Sequence, residues 1–334
     1  MLSHRRRFLA AASAVASGMA TGMATTGLAH AQPSRTYRVI AFRPTTPSGD
    51  ILRTGLPAAL AEVGYVEGQN LAFEMRYGDG RLERMPALAR EIVAAKPDVI
   101  LAISAVSIKA IREATSTIPV VFFGNFDPVA SGFVKSLAQP GGNITGVVIA
   151  PDGTLAAKRM ELLVEAVNGR KRMAMLLPED PNVIAVQLPE ARKAAASLGV
   201  QLDTVQMVNG DYAGAFAKVA ALKADSLFLA ATTYFVQDRR VIIDLAAGHR
   251  VPAIYEWPEQ VEDGGLMSYG PSSLRAIYQR IASCIDRILK GAPPASIPVE
   301  QPAKLELVVN LKTARAMGLA IPQSVLLRAD RVIQ

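Results

Sequence analysis

Several polar and aromatic side chains stand where apolar runs of this sequence end, and their types are those that bind small charged solutes. The run IPVVFFG leads directly into Asn125, Phe126 and Asp127, and the run VPAIYEW ends in Glu256 and Trp257. Carboxylates and amides bind amines and hydroxyls, while an aromatic ring can stack on a flat solute. Ligands of open α/β sheets lie at the carboxyl ends of parallel strands. These residues are therefore candidate binding residues if the runs are strands of such sheets.

Each of these side chains also permits a structural interpretation. Asp127 either caps a short helix over DPVASGFVKSLA (127–138), with Pro128 at its first position, or accepts a hydrogen bond from a ligand amine or hydroxyl. Trp257 either packs in the core or stacks on the ligand. Glu256 either neutralises a ligand ammonium or is a charge at the rim. The sequence leaves these alternatives open.

Other strand ends add hydroxyl groups and helix N-termini. In the loop RPTTPSGD (43–50), each hydroxyl side chain either faces a ligand carboxylate or serves the turn, and Ser48 is expected to cap the following helix. Ser104 opens another helix and is the better carboxylate site, because helix N-termini attract anions. The full set of expected ligand-binding residues is Thr45, Thr46, Ser48, Ser104, Ala105, Val106, Asn125, Phe126, Asp127, Asn182, Thr233, Tyr234, Glu256 and Trp257.

The elements that must position these residues alternate between strand and helix. Near-unbroken apolar runs such as YRVIAF (37–42) and DVILAIS (98–104) are separated by amphipathic segments, which is typical of parallel sheets covered on both faces. The order then repeats. ALAEVGYVEGQNLAFEMRYGDG parallels AAASLGVQLDTVQMVNGD, and KPDVILAIS parallels KADSLFLAAT. The sequence therefore predicts an α/β fold with two similar open parallel-sheet lobes.

Three extended segments are expected to join the two lobes and to act as hinges: NITGVVIA (143–150), GGLMSYG (264–270) and the neighbourhood of PVEQP (298–302). The predicted domains are an export signal over 1–31, a first lobe over 32–147 and 268–300, and a second lobe over 148–267 and 301–334. A ligand site is expected in the cleft between the lobes.

The N-terminal segment has the features of an export signal. It has a basic start, a weakly apolar middle and a small-x-small ending, so we expect cleavage before Gln32. Arg5-Arg6 followed by Phe8-Leu9 is close to the twin-arginine pattern, although the sequence does not decide between that route and general secretion. No cysteine lies near the cleavage point, which argues against a lipoprotein. We expect a protein of the periplasm that is not embedded in the membrane.

Charge and composition narrow the function. Removal of three signal-peptide arginines lowers the formal charge from +7 to +4, with 33 basic and 29 acidic residues well mixed, which does not favour a nucleic-acid partner. His249 is then the only histidine and Cys284, expected to be buried core, the only cysteine. Triad hydrolases, histidine-bound zinc and two-thiol racemases therefore lack their residues, and no dinucleotide or P-loop motif is present. A hydrolase using Asp127 and Glu256 as a carboxylate pair stays open.

The sequence resembles the substrate-binding components of ABC transporters with the type I periplasmic-binding fold, in the branch that includes tryptophan and tyrosine receptors. The segments that carry the resemblance are GYVEGQN (64–70), KPDVI (96–100), DPV (127–129), SLAQPGGNITG (136–146), GGLMSYGP (264–271), ILKGAPPASIPVEQP (288–302) and LVVNLKTARAMGLAIPQSVLLRAD (307–330). The resemblance covers essentially the whole chain after the signal and says little about the ligand.

The resemblance implies a receptor that binds a small polar solute, an amino acid or related carboxylate, and delivers it to the transmembrane permease subunits of an ABC importer. It implies no cofactor, no metal and no catalysis, and we expect a monomer. An exported binding module that informs a sensor or chemoreceptor would have the same fold, so it remains an alternative.

Overall fold

The computed structural model describes residues 35–47, 50–149, 154–169, 171–302 and 304–334. The expected export signal and Ser48 lie outside these residues. The first half contains β1 (Tyr37–Arg43), α1 (Leu52–Glu62), β2 (Leu71–Tyr77), α2 (Met85–Ala94), β3 (Val99–Ile103), α3 (Ala105–Ala114), β4 (Val120–Gly124) and β5 (Ile144–Val148). The second half contains α4 (Thr154–Ala166), β6 (Arg172–Leu177), α5 (Pro181–Leu198), β7 (Gln201–Gln206), α6 (Tyr212–Ala221), β8 (Ser226–Leu229), α7 (Thr233–Gln237), α8 (Arg239–Gly248), β9 (Ala253–Tyr255), α9 (Pro258–Glu262) and β10 (Met267–Pro271). The C-terminal part contains α10 (Leu274–Leu289), β11 (Leu305–Asn310), α11 (Leu311–Ala316), α12 (Gln323–Leu326) and β12 (Arg331–Ile333).

The two halves share one sheet topology. In the described part of the chain, the first sheet has the order β2-β1-β3-β4-β5, and the second has the order β12-β11-β10-β9-β8-β6-β7. The segment β7-β6-β8-β9 therefore repeats β2-β1-β3-β4, with every pair parallel. The predicted α/β fold with two similar parallel-sheet lobes is confirmed.

Both faces of the first sheet are covered, as its apolar strands require. Along β1, Val39 and Ala41 pack into one apolar cluster while Ile40 and Phe42 pack into another, because successive side chains of a strand point to opposite faces. Helix α10 returns to the first lobe and packs against α1 and β5. Cys284 of α10 is fully buried, as predicted.

The chain crosses between the sheets at three places. It passes from β5 to α4, which packs on β8, β9 and β10; from β10 to α10; and from Glu300 to β11. Glu300 bonds to β5 through its own N–H to Gly146 (2.9 Å) and through its carbonyl from the N–H of Val148 (2.9 Å).

Two segments expected to be connectors are paired strands instead. Residues 144–148 form β5, the edge of the first sheet, and residues 267–271 form β10 inside the second sheet. Residues 268–271 therefore belong with the second lobe, and the predicted boundary at 268 was placed a few residues early. The remaining lobe boundaries stay predictions.

The short helix expected over 127–138 is replaced by a series of turns. The carboxylate of Asp127 accepts the N–H groups of Val129 (2.8 Å) and Ala130 (2.9 Å), as a cap would. The chain then enters the left-handed region at Gly132, with φ of 67°, and a helix cannot continue through that conformation. Helices α7 and α8 follow one another directly and are divided at Asp238. Among the described residues, no helix combines the length and apolar character needed to span a membrane.

Candidate functional site

A cleft lies between the two sheets at the carboxyl ends of their parallel strands. Its volume, including the part open to solvent, is about 710 Å³. The walls are mainly apolar and include the aromatic rings of Phe123, Phe126, Trp257 and Tyr278. Both lobes contribute to the walls. Because the walls are mainly apolar, they suit a solute with a large apolar part and few polar groups.

Ser104 forms a polar point on the first-lobe wall. It joins β3 to α3 with φ of 79° and ψ of 155°, a conformation that is strained for any residue except glycine. The side chain is 8% exposed, and its hydroxyl has no hydrogen-bond partner among the described groups. The first N–H groups of α3 also lack intrahelical acceptors because they begin the helix. Together the hydroxyl and the helix N-terminus make a site suited to a carboxylate.

Arg43 and Asp50 add a buried ion pair to the same lobe. Nη1 of Arg43 lies 2.6 Å from Oδ1 of Asp50, and the two side chains are 4% and 1% exposed. Nε of Arg43 is buried without an acceptor among the described groups, and Arg43 lines the cleft. It is therefore a second donor that a ligand oxygen can reach.

Asp180 supplies negative charge from the second lobe. It stands between β6 and α5, is 2% exposed and lines the cleft. It raises the pKa of the nearby Tyr234, although burial of that phenol is the larger cause. A carboxylate at this depth favours a cationic group on the ligand.

A hydrogen-bond network centred on Glu256 connects the lobes across the cleft. Nδ2 of Asn125, from the first lobe, donates to Oε1 of Glu256 (2.6 Å), and the indole N–H of Trp257 donates to Oε2 (2.9 Å). Burial raises the pKa of Glu256, while Arg159, Asn125 and Trp257 oppose the increase. A second contact between the lobes runs from Nε2 of Gln237 to the carbonyl of Thr46 (2.9 Å).

The family of the chain follows from a comparison of its whole length. The sequence model described as "ABC transporter substrate binding protein" matches residues 40–333. The chain belongs to this family of ABC transporter substrate-binding proteins. The type I periplasmic-binding fold and the resemblance stated from the sequence are thereby confirmed.

Three individual proteins are similar to this chain at moderate identity. The tyrosine-binding protein of Clostridioides difficile is 25% identical over 278 residues, which cover 82% of this chain and 78% of that protein. A conserved domain protein of Vibrio cholerae is 28% identical, with a TM-score of 0.78, covering 89% of this chain and 100% of that one. A Streptococcus pneumoniae ABC domain, solved in complex with L-Trp, is 24% identical with a TM-score of 0.77, covering 90% and 100%.

Half of the predicted binding residues of this substrate-binding protein line the cleft, and their contact with a ligand remains a prediction. Those on the walls are Ser104, Ala105, Asn125, Phe126, Thr233, Glu256 and Trp257. Those that do not line it are Thr45, Thr46, Val106, Asp127 and Tyr234. For Asn182 the structure describes the backbone in the first turn of α5 but not the side chain.

Two of the residues off the wall, Asp127 and Thr46, have identifiable structural roles. The Asp127 carboxylate is bonded to its own turn, as in the cap interpretation, and Thr46 contacts Gln237 of the other lobe. The helix α1 is capped by Asp50, whose Oδ1 accepts the N–H of Leu52 (2.9 Å). The carboxylate of Asp50 thus caps α1, which is the role expected of Ser48 from the sequence.

Sequence reasoning missed three charged residues of this substrate-binding protein: Arg43 and Asp180 on the cleft walls and Arg159 behind them. Asp180 could have been found, because it lies in the short connection between the end of β6 and Pro181, and strand ends were the criterion used. Arg159 also carried a signal, since it lies on the apolar stripe of α4 with Leu155 and Leu162.

Proposed function

We propose that this chain is the solute receptor of an ABC importer. It is exported to the periplasm, binds an amino acid or related carboxylate in the cleft between its lobes, and delivers that solute to membrane permease subunits. Membership of the substrate-binding family supports the proposal, as do a relative named for tyrosine binding and a similar structure in complex with L-Trp.

The observation that carries the proposed ligand class is the position of Ser104. Ser104 lines the cleft at the N-terminus of the ten-residue helix α3, on a strained backbone, and its buried hydroxyl has no hydrogen-bond partner among the described groups. A bound carboxylate accepts from the hydroxyl and from the free N–H groups of the helix, and it is stabilised by the helix dipole. Arg43 adds a cationic donor on the same wall.

The opposite wall complements the other parts of such a solute. Asp180 receives the ligand ammonium, because it is a carboxylate of the second lobe that is 2% exposed and lines the cleft. The rings of Phe126 and Trp257 and the side chains of Ile103 and Leu274 contact an apolar body. An amino acid with an apolar or aromatic side chain fits this distribution.

Ligand binding favours the arrangement in which the lobes meet. The walls that contact the carboxylate and the ammonium belong to different lobes, so a solute that bridges Ser104 and Asp180 binds the closed form more tightly than the open form. The bonds from Asn125 to Glu256 and from Gln237 to Thr46 stabilise that closed form. Differential affinity of this kind shifts the population toward closure, and the permease subunits then receive the closed, loaded receptor.

A thermal-shift screen of the purified protein tests the proposal. The panel contains the common L-amino acids and small carboxylates, together with sugars as unrelated solutes. We expect one or more carboxylates to raise the melting temperature by mass action, with calorimetry confirming a single site. A melting temperature raised by sugars alone, or by no member of the panel, would contradict the proposed ligand class.

A further inference from the structure

Arg159 of α4 is a charged side chain next to the cleft, and one of its donors has no acceptor among the described groups. It is 2% exposed. Its Nε donates to the carbonyl of Leu155 (3.3 Å), and its guanidinium carbon lies 5.4 Å from the centre of the Phe228 ring. Its Nη1 is buried and has no acceptor among the described groups. Because a buried donor without an acceptor is destabilising, a further oxygen beside Nη1 would be bound favourably.

Arg159 lines a small compartment that adjoins the cleft. The compartment has a volume of about 210 Å³, including space open to solvent, and shares Asn125, Ala231 and Glu256 with the cleft. Gln187 closes another side, where both ends of its amide bond to the backbone of Ala231 (2.7 and 2.8 Å). Asn125 comes from the first lobe and the other residues from the second. The compartment is therefore complete only when the lobes are together.

The charges around the compartment decide which oxygen fits. Burial lowers the pKa of Arg159, and Glu256 opposes that change, so the two charges balance each other. Both carboxylate oxygens of Glu256 already accept hydrogen bonds, from Asn125 and Trp257. A carboxylate in the compartment would lie beside Glu256 and be repelled by its negative charge. A neutral oxygen would accept a hydrogen bond from Arg159 without this repulsion.

We propose that Arg159 is a specificity-determining residue, and that it binds a neutral oxygen at the end of the solute that reaches deepest into the cleft. A hydroxyl, carbonyl or amide oxygen satisfies this requirement. The inference rests on the proposed function and deepens it: the solute carries its carboxylate at Ser104 and a neutral acceptor at Arg159, with an apolar body between them.

Calorimetry with matched solute pairs tests this inference. The pairs are L-phenylalanine with L-tyrosine, L-leucine with L-asparagine, and benzoate with para-hydroxybenzoate; in each the second member adds a neutral oxygen. For pairs that bind, we expect the wild type to prefer the second member by about tenfold, equivalent to about 1.4 kcal/mol. Arg159→Lys keeps the charge that balances Glu256, and Arg159→Met removes it. In both variants we expect the preference to fall to within about twofold, while the first member keeps its affinity within about threefold.

The outcomes separate this inference from the function on which it rests. If the wild type binds both members of each pair equally, or if both variants keep the wild-type preference, the inference is overturned while the proposed function stands. If the variants weaken both members by the same factor, Arg159 holds only an internal water or the local structure, and the inference is again overturned. If no carboxylate binds the wild type, the proposed function falls and the inference falls with it. Circular dichroism and melting of each variant establish that it is folded, and Arg159→Lys provides the folded comparison if Arg159→Met does not fold.

Discussion

Replacing Ser104 is the most informative single perturbation of the cleft. Its hydroxyl is buried on the cleft wall and has no hydrogen-bond partner among the described groups, so Ser104→Ala removes one donor from the ligand carboxylate without breaking any described bond of the free protein. A hydrogen bond to a charged group contributes about 1.5–3 kcal/mol. Since about 1.4 kcal/mol is tenfold in affinity, we expect the dissociation constant of the best carboxylate in the panel to increase by roughly ten- to hundredfold.

Two further variants separate the effect of losing the Ser104 hydroxyl from the effect of the strained backbone. Ser104→Gly also removes the hydroxyl, but glycine adopts φ of 79° without strain. Relief of such strain contributes about 1–3 kcal/mol, offset by a glycine entropy cost of about 0.5–1 kcal/mol. We therefore expect Ser104→Gly to be at least as stable as Ser104→Ala and to show the same loss of affinity. Ser107 is a matched control, because it is a fully buried serine of the same helix that does not line the cleft.

Isothermal titration calorimetry and thermal melting of the three variants give the answer. We expect Ser107→Ala to bind within about twofold of wild type, because Ser107 does not line the cleft. Wild-type affinity in both Ser104 variants, or an equal loss in Ser107→Ala, would refute the assignment of the carboxylate to this helix N-terminus.

Four other predictions follow from the described contacts. Asp180→Asn should reduce by about tenfold or more the preference for L-phenylalanine over 3-phenylpropionate, which lacks the ammonium; an unchanged ratio in calorimetry would show that another group binds the amine. Trp257 is the only tryptophan of the chain and its indole N–H bonds to Glu256 in the cleft, so a saturating carboxylate without its own indole should change the emission. Trp257→Phe should abolish that change in emission while keeping an aromatic ring in the core. If the emission of the wild type does not change when calorimetry shows that a solute is bound, the result would contradict binding in the cleft. Burial raises the pKa of Glu256 above the ordinary carboxyl value, so the folded state holds an extra proton between the two values. Its contribution therefore makes the free energy of unfolding decrease as pH rises from about 4.3 through the raised pKa. Glu256→Gln should flatten this dependence. If urea titrations give the variant and the wild type the same slope of unfolding free energy against pH, the result would count against the assignment. Burial also raises the pKa of the Cys284 thiol to about 12, so iodoacetamide at pH 8 should modify the unfolded protein but not the native one, and rapid native labelling would contradict the packing of α10.

Periodicity made most of the fold predictable from the sequence. The unbroken apolar runs predicted β1 and β3 within a few residues, and the repeated segments predicted two similar parallel-sheet lobes. The helix predicted over 127–138 was wrong. The apolar spacing of the segment suits a helix, but the hydrogen bonds of Asp127 and the left-handed conformation of Gly132 stabilise turns instead. Segments 144–148 and 267–271 were read as hinges because strand pairing depends on distant neighbours that a local pattern does not include.

The site was predictable only in part, for a related reason. The strand-end criterion selects Ser104, Asn125 and Trp257 because parallel topology brings all strand ends to one edge. The same criterion predicts too many wall residues in the loop after β1, where the hydroxyl of Thr45 is buried and Thr45 does not line the cleft. Arg159 lies on a helix face rather than at a strand end, and its relation to the cleft depends on how α4 packs against the second sheet.

A crystal structure of the protein with its best carboxylate from the panel is the most direct test of solute binding between the lobes. We expect the solute to lie in the cleft with a carboxylate oxygen within hydrogen-bond distance of Ser104, and Asn125 to bond to Glu256 across it. A saturated crystal in which the solute lies on an outer surface, or in which the cleft is filled by side chains, would contradict the account.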